Sequence, residues 1–461
     1  MKKHIFAFAA VIACAFVTTA CTQEVIVPEW VKTANIYEVN VRQYSPEGTF
    51  AAFARDVPRL KSLGTEIVWF MPIHPISREK RKGYLGSYYS VADYKAVNPE
   101  FGTLSGFKSL VDDLHSNEMK VLIDWVPNHT GWDHPWIKQH PEFYQKGSDG
   151  KITDPINPAT GKSWGWTDVA ALDYSNKGLH EAMLDAMMFW VKEVGVDGFR
   201  VDVAGEVPIE FWRKAIPKLR SVNPELFMLA ESEEPALRNE QLFNMTYGWS
   251  FHNLMKDIAQ GKKPLSAIEE WYKEDRAKFT EGLHMHFTQN HDENSWAGTE
   301  DELFGPAKDA LAVLTTMYDG MPLLYNGQEA GLNKRLRFFE KDTINWGDYP
   351  RRRMYETLLG VRRAQKALWS MGEGGEPVRL KTNDDSRIFA FKREKDDNRV
   401  IVLLNLSNTE VMTSIEDRSV DELYREAFLG VNMQLGDNVK FALTPWSYMV
   451  LVLVPEQYRN N

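Results

Sequence analysis

Four short segments of this chain end in side chains that could perform acid–base or nucleophilic chemistry. They read DWVPNH at 124–129, GFRVDVAGE at 198–206, LAES at 229–232 and FTQNHD at 287–292. A lone aspartate at a strand end is more often a helix cap or an ion-pair partner, and a lone histidine is usually a structural donor. Four such segments in order, each beside a short apolar run, indicate instead that their polar groups share one site.

Two carboxyl groups in these segments differ in their expected surroundings. Arg200 and Asp202 are two residues apart on a strand and therefore face the same side. A guanidinium beside Asp202 should lower its pKa and keep it ionised, which suits a nucleophile. Glu231 follows the apolar run 227–230, where desolvation should raise its pKa and suit a general acid. Opposite shifts of two carboxyls are typical of glycoside hydrolysis, and a separation of about 5–5.5 Å makes the reaction retaining.

Three further residues complete this candidate site. Asp292 is a third carboxylate that could stabilise the positive charge of an oxocarbenium-like transition state. We expect His129 and His291 to be neutral donors that hold sugar hydroxyls. These residues lack a close ligand spacing such as H-E-x-x-H, so an unrelated barrel enzyme that uses a metal is the least favoured alternative.

The elements that must position these groups read as strands alternating with helices. Helical patterns cover 105–117, 177–194 and 307–318. The strand-like runs are 36–40, 66–71, 120–124, 198–202, 227–231, 245–249, 284–289 and 322–326. Eight alternations predict an α/β fold, a (β/α)8 TIM barrel over 35–127 and 179–372, whose chemistry lies at the C-terminal ends of its strands.

Two further segments stand outside this pattern. Residues 128–178, rich in Gly, Pro, Asp and Trp, predict a small insertion subdomain over the barrel mouth. Its tryptophans could provide sugar-binding surfaces, although at least half of them should belong to the subdomain core. Residues 376–461 contain strand-like runs separated by turn residues and predict a C-terminal antiparallel β-sandwich domain.

The N-terminus reads as an export signal. Residues 1–20 combine two lysines, an apolar run and small residues, and they are too short to span a membrane. Cys21 stands where a bacterial lipoprotein is cleaved and acylated, and 21–34 would be a tether. Cys14 fits the pattern less well, and ordinary secretion is the other alternative. We therefore predict an exported protein anchored by lipid in the bacterial envelope, on the outer membrane or the periplasmic side, and otherwise periplasmic or secreted.

Composition excludes several classes of protein. The 461 residues are 43% hydrophobic and 26% charged, which is ordinary for a soluble globular protein and unlike a disordered or fibrous chain. The net charge of −10 argues against a nucleic-acid partner. Cys14 and Cys21 are the two cysteines, so cleavage before Cys21 leaves no thiol in the folded part for a disulfide or a Cys–zinc site.

Taken together, the four segments resemble the motifs of glycoside hydrolase family 13, the α-amylase family. The resemblance implies that Asp202 is the nucleophile, Glu231 the acid/base and Asp292 the transition-state stabiliser. It also implies that Arg200, His129 and His291 line the subsite of the attacked glucose. The segment from Tyr89 to Tyr94 resembles the family's segment after strand two, which implies that Tyr89 stacks on that sugar. The run MPLLYNGQE at 321–329 resembles the family's eighth strand.

The sequence departs from many α-amylases after the nucleophile. Gly205 and Glu206 stand where those enzymes carry Lys-His, and DVAGEVPIEFW is closer to cyclomaltodextrinases and neopullulanases. The chemistry needs no cofactor. Asn128 matches a ligand position of the family's structural calcium ion, but calcium takes about 6–8 oxygens, so a hydrogen bond within the loop is the preferred interpretation of Asn128.

The predicted function is hydrolysis of α-1,4-glucosidic bonds of starch or maltooligosaccharides through a covalent glucosyl-enzyme. Members of the family that act on cyclomaltodextrins, cleave α-1,6 bonds or transfer glucose are the alternatives. A starch-binding lipoprotein without catalysis is less favoured, because a binder gains nothing from three converging carboxylates. The tether leaves no room for the N-terminal module through which cyclomaltodextrinases and neopullulanases commonly dimerise, so we expect a monomer with no membrane contact beyond its lipid.

Overall fold

The fold was obtained as a computed structural model that describes residues 27–157, 159–437 and 439–458. Eight parallel strands form a closed barrel, and the first strand pairs with both the second and the eighth. This confirms the predicted barrel. In chain order the barrel strands are Ile36–Val39, Ile67–Phe70, Lys120–Trp125, Gly198–Val201, Phe227–Ala230, Met245–Tyr247, Leu283–His286 and Met321–Tyr325.

Helices surround this barrel. The longer α-helices are Val57–Leu63, Leu104–Ser116, Lys177–Phe189, Ile209–Arg220, Trp249–Ala259, Ala267–Lys278, Lys308–Met317 and Arg352–Ala364. Shorter α-helices are Val41–Tyr44, Phe50–Ala54, Trp136–Gln139, Pro235–Asn239 and Glu300–Phe304. The 3-10 helices are Glu29–Lys32, Pro141–Phe143, Ala204–Glu206, Gly305–Ala307, Gln328–Ala330, Lys366–Leu368, Arg418–Val420 and Glu456–Tyr458, and π-helical turns cover Trp190–Val194 and Glu293–Ala297.

Local sequence explains where these helices begin and which face they bury. The hydroxyl of Thr103 accepts a hydrogen bond from the Gly106 amide and caps the helix Leu104–Ser116. Its buried residues Phe107, Leu110, Val111 and Leu114 follow the helical period. In the same way, the side chain of Asn176 accepts from the Gly178 amide and caps the helix that leads into the fourth barrel strand.

The barrel interior is filled by alternate residues of the strands. Ile36, Trp69, Leu122 and Met285 belong to a buried cluster distinct from the one between strands and helices. At the start of the fourth strand only glycine fits, because a Cβ on Gly198 would lie 1.9 Å from a backbone oxygen. The end of the predicted tether takes part in this core, since residues 29–32 are helical, Val31 is fully buried and Trp30 packs on Phe227.

The insertion at 128–178 is a small irregular unit tied to the barrel rim. Its antiparallel pairs are His129–Gly131 with Val169–Ala171, and Ile156–Asn157 with Lys162–Ser163. The Tyr94 hydroxyl lies 2.7 Å from the Val126 carbonyl oxygen and 3.0 Å from that of His129. These contacts fix the point where the chain leaves the third barrel strand.

A separate antiparallel β-domain follows the barrel. Its six-stranded sheet has the order Val378–Leu380, Ile388–Lys395, Asn398–Asn405, Tyr448–Leu453, Leu423–Glu426 and Asn432–Gln434. A two-stranded sheet, Val411–Thr413 with Phe441–Leu443, contributes to the same apolar core. The predicted antiparallel C-terminal domain is therefore confirmed.

Helices long and apolar enough to cross a membrane are absent from the part of the chain that the structure describes. The predicted signal peptide and Cys21 lie outside those residues.

Arg393, on a strand of the C-terminal domain, forms hydrogen bonds that connect this domain to the barrel. Arg393 is 2% exposed, and its guanidinium donates to the carbonyls of Tyr318, Leu368, Trp369 and Gly375. Tyr318 ends a barrel helix, and the other three acceptors lie in the connection between the domains.

We predict that Arg393→Met destabilises the protein by about 3 kcal/mol or more, because it leaves several buried carbonyl groups without a donor. Arg418→Met is the matched control, since Arg418 is 48% exposed and pairs with two surface aspartates, and it should cost under about 1 kcal/mol. The midpoints of urea unfolding measure both changes. Equal midpoints for the two variants would contradict this role of Arg393.

Candidate active site

The polar residues named from the sequence converge at the C-terminal ends of the barrel strands. They surround a cavity of about 490 Å³ at the barrel mouth. The cavity is lined by Tyr89, His129, Asp202, Glu231, His291 and Asp292, and the buried Arg200 contacts two of these residues from the fourth strand. The structure thus brings all seven predicted residues together.

Arg200 is the centre of the site. Its side chain is fully buried, and its Nη1 donates to Asp124 Oδ1 at 3.0 Å and to Asp202 Oδ1 at 2.9 Å. Its Nη2 lies 2.9 Å from Glu231 Oε2, and its Nε donates to the Tyr247 hydroxyl at 3.0 Å. One guanidinium therefore joins three carboxyl groups from the third, fourth and fifth strands.

The expected lowering of the Asp202 pKa is wrong. Burial raises the pKa of Asp202, and Arg200 opposes this without overcoming it. Burial also raises the pKa of Asp124 to about 7. The physical reason is that burial disfavours the charged form of Asp202 more than Arg200 stabilises it, and the nearby charge of Asp292 raises the pKa further.

Glu231 has the environment that the sequence predicted. Burial raises its pKa, as expected for a general acid, and Arg200 opposes the shift. Its Oε2 accepts a hydrogen bond from the backbone amide of Val203 at 2.9 Å. Val203 has φ +40°, a left-handed conformation that is costly for a β-branched residue. The strained turn after Asp202 therefore directs a donor at Glu231, which the sequence did not reveal.

His291 is not the neutral donor that we expected. Its Nδ1 lies 2.5 Å from Glu38 Oε1, and its Nε2 lies 3.4 Å from Asp292 Oδ2. Burial lowers the pKa of His291, but the charges of Asp292 and Glu38 outweigh burial and raise the pKa to about 9. His291 is therefore a cation at neutral pH.

Glu38 is a functional residue that sequence analysis missed. It lies on the first barrel strand, is fully buried, and reaches a histidine 253 residues later in the chain. The sequence signal for Glu38 is a glutamate within an apolar strand. Ile36 points into the barrel, and Glu38, two residues later on the same strand, faces the same side.

Tyr89 links His291 to the carboxylate cluster. Its hydroxyl lies 2.7 Å from His291 Nε2 and donates to Asp124 Oδ2 at 3.0 Å. The Tyr89 ring also stacks with the His291 ring at 5.5 Å and with Phe338 at 6.2 Å. The site thus holds a continuous chain from Glu38 through His291 and Tyr89 to Asp124.

His129 is neutral, as expected. Burial lowers its pKa to about 4. Its ring lies 5.8 Å from the Trp166 ring, and its Nδ1 is 3.5 Å from Asn128 Nδ2. His129 therefore lines the wall of the cavity on the side of the insertion.

Clusters of metal-ligating His, Cys, Asp or Glu side chains are absent around Asn128 in the described part of the chain. Within residues 27–157, 159–437 and 439–458, no group of three or more His, Cys, Asp or Glu side chains could hold a metal ion. The side chain of Asn128 contacts the His129 ring instead.

The sequence also matches known proteins. The family described as "Alpha amylase, catalytic domain" matches residues 35–399. The chain is 24% identical to α-amylase 3 of Dictyoglomus thermophilum over 92% of this chain and 94% of that protein. It is 27% identical to neopullulanase 2 of Thermoactinomyces vulgaris over 82% and 70%, respectively. A noncanonic maltogenic α-amylase of Thermotoga neapolitana superposes with a TM-score of 0.82 at 27% identity, covering 92% of this chain and 99% of that one.

The matched region includes all eight barrel strands and every strand-end segment described above. The chain is therefore a glycoside hydrolase of the α-amylase family, glycoside hydrolase family 13.

Proposed function

We propose that this protein hydrolyses α-1,4-glucosidic bonds of starch or maltooligosaccharides with retention of the anomeric configuration. The observation that carries the proposal is the contact of Asp202 and Glu231 with one buried guanidinium at the floor of an open cavity. Two carboxyls held side by side in this way suit a nucleophile and an acid that act on the same glycosidic bond.

In the first half-reaction, Asp202 attacks the anomeric carbon and forms a covalent glucosyl-enzyme. Glu231 transfers its proton to the glycosidic oxygen, which leaves with the bonding electrons as a hydroxyl group. The raised pKa of Glu231 keeps that proton available nearer neutral pH. Arg200 and the Val203 amide then stabilise the carboxylate that Glu231 becomes.

In the second half-reaction, Glu231 removes a proton from water. The oxygen of this water attacks the anomeric carbon, and the bond to Asp202 breaks, which restores both carboxyl groups. Asp292 is 34% exposed at the cavity wall and supplies negative charge when the ring becomes oxocarbenium-like. Protonated His291 and neutral His129 hold sugar hydroxyls.

Two observations support a second range of substrates, the cyclomaltodextrins and α-1,6-linked glucans. The segment after Asp202 carries Gly205 and Glu206, and one relative is named as a neopullulanase. Cyclomaltodextrins or α-1,6-linked glucans are therefore the second candidate substrates, and transfer to a sugar acceptor uses the same glucosyl-enzyme.

We further propose that the protein is exported, acylated at Cys21 and held in the bacterial envelope by that lipid, and that it acts there as a monomer. The basic and apolar segments before Cys21 support this location. The chemistry is proposed to need no cofactor.

Product analysis tests the activity. Residues 22–461, with or without a chelator, should release a ladder of maltooligosaccharides from amylose, and NMR of the first products should show the α anomer. Asp202→Asn and Glu231→Gln should each lower kcat/KM by roughly three orders of magnitude or more, because each group acts chiefly in the transition state.

Glu234→Gln is the matched control for these variants. Glu234 is an exposed neighbour of the acid, so its loss should leave kcat/KM within about twofold of the wild type. Full turnover by Asp202→Asn would disprove the assigned nucleophile. Preferential opening of β-cyclodextrin or cleavage of pullulan would favour the second candidate, and absence of cleavage of all substrates would refute the enzyme.

The protonation of His291 can be tested by NMR titration of its Cε1 proton, assigned with His291→Gln. Glu38→Gln should lower the His291 pKa by about 1 unit or more, because it removes one of the two carboxylates that hold the proton. The sign is fixed by the raised wild-type pKa: the cation persists through neutral pH and is lost near pH 9. A wild-type pKa near 6.5, or no change in Glu38→Gln, would contradict the role of Glu38.

Lipid attachment can be tested in a Gram-negative host supplied with radiolabelled palmitate. The full chain should be labelled and sediment with membranes, because the acyl chains add roughly 0.8 kcal/mol of membrane affinity per buried CH₂ group. Cys21→Ser should be unlabelled and soluble, whereas Cys14→Ser should keep the label. A soluble, unlabelled wild type would indicate ordinary secretion.

A further inference from the structure

The insertion carries a pair of tryptophans that extends from the catalytic cavity to solvent. Trp166 lines the cavity and lies 5.8 Å from the His129 ring. Trp164 stacks on Trp166 with a ring distance of 5.6 Å and an interplanar angle of 14°, and it is 42% exposed. The two indoles therefore form a continuous aromatic surface that begins at the site of cleavage.

This surface is held in place by contacts from two sides. Lys82 forms an ion pair with Asp168 at 3.0 Å and donates to the Gly165 carbonyl at 2.8 Å. The indole of Trp132 donates to the Thr167 carbonyl at 3.0 Å. The backbone between the two tryptophans and the barrel is thus anchored, which keeps their rings in position before any ligand binds.

The rings of the other tryptophans in 125–166 are buried or covered by neighbouring side chains. Trp125 is fully buried, and Trp136 packs on Tyr94 and Phe143. The face of Trp132 is covered by the Lys80 ammonium, 3.0 Å from the ring centroid. Trp164 and Trp166 are the members of this group that offer ring surface next to the cavity.

A second aromatic wall faces the same cavity. Trp296 is 56% exposed and lies 5.0 Å from Phe338 and 5.8 Å from Phe339, and all three rings line the cavity. The cavity that contains Asp202 and Glu231 is therefore lined by aromatic rings from two separate groups of residues. A chain of linked pyranose rings presents alternating apolar faces that such rings contact well.

Resting on the proposed function, we propose that Trp164 and Trp166 bind glucosyl units of an α-glucan chain beyond the unit that is attacked. The ligand is a linear chain of several glucosyl units, because the aromatic surface continues outward from the cavity to Trp164. The pair makes the enzyme favour longer chains over short oligosaccharides.

The test compares the specificity ratio, kcat/KM for maltoheptaose divided by kcat/KM for maltotriose. Trp164→Ala should lower this ratio about three- to tenfold, as expected for the loss of one aromatic contact. Trp164→Phe should retain most of the ratio, because it keeps an aromatic ring at this position. Leu429→Ala is the control, since Leu429 is 75% exposed in the C-terminal domain and should leave the ratio unchanged.

An unchanged ratio in a folded Trp164→Ala variant, checked by its thermal unfolding midpoint, would overturn the proposal. If the wild type cleaves none of the glucans, the proposed function fails, and calorimetric binding of maltoheptaose then decides this inference separately. Wild-type binding that is three- to tenfold weaker in Trp164→Ala would support the aromatic surface, and equal binding or no binding would overturn it.

Discussion

The site depends on one buried guanidinium that contacts three carboxyl groups. Arg200 is fully buried, and its partners Asp124, Asp202 and Glu231 come from three neighbouring strands. Burying a carboxylate alone would cost several kcal/mol or would neutralise it, so the cation is what allows charge to persist at the barrel mouth. Because the partners are fixed to adjacent parallel strands, the same contacts also set the relative positions of Asp202 and Glu231.

A single positive charge cannot balance all the acidic groups in this region. Asp292 and Glu38 both contact His291. The proton on His291 supplies a second positive charge, and the Tyr89 hydroxyl joins this group to Asp124. The two cations therefore have different origins: one is a permanent guanidinium, and the other exists only because two carboxylates stabilise it.

The difference between the permanent charge of Arg200 and the conditional charge of His291 explains which features of the site could be predicted from the sequence. The alternation of short apolar runs with helical patterns predicted the eight strands. The strand ends predicted which polar groups would meet, because a closed parallel barrel brings all those ends to one rim. The charge of His291 could not be predicted in this way, since it depends on Glu38, which is distant in sequence and lies in a strand without a recognised motif. Likewise, the pKa shift of Asp202 depends on how deeply the fold buries this carboxyl and on the nearby Asp292. The left-handed conformation of Val203 depends on a turn that its residue type disfavours.

The tryptophans of the insertion show that residue type alone does not predict which side chains can contact a sugar. Their residue types are the same, but Trp136 packs against Tyr94 and Phe143, Trp132 is covered by a lysine, and the other two offer ring surface beside the cavity. Burial and neighbours, rather than composition, decide which of them a sugar can reach. The chemistry is thus set by buried groups at the strand ends. The number of glucosyl units that the proposed site contacts is set by exposed aromatic rings on loops. Since the loops can change without disturbing Arg200 and its carboxyls, the four strand-end motifs identify the reaction but not the length or linkage of the glucan.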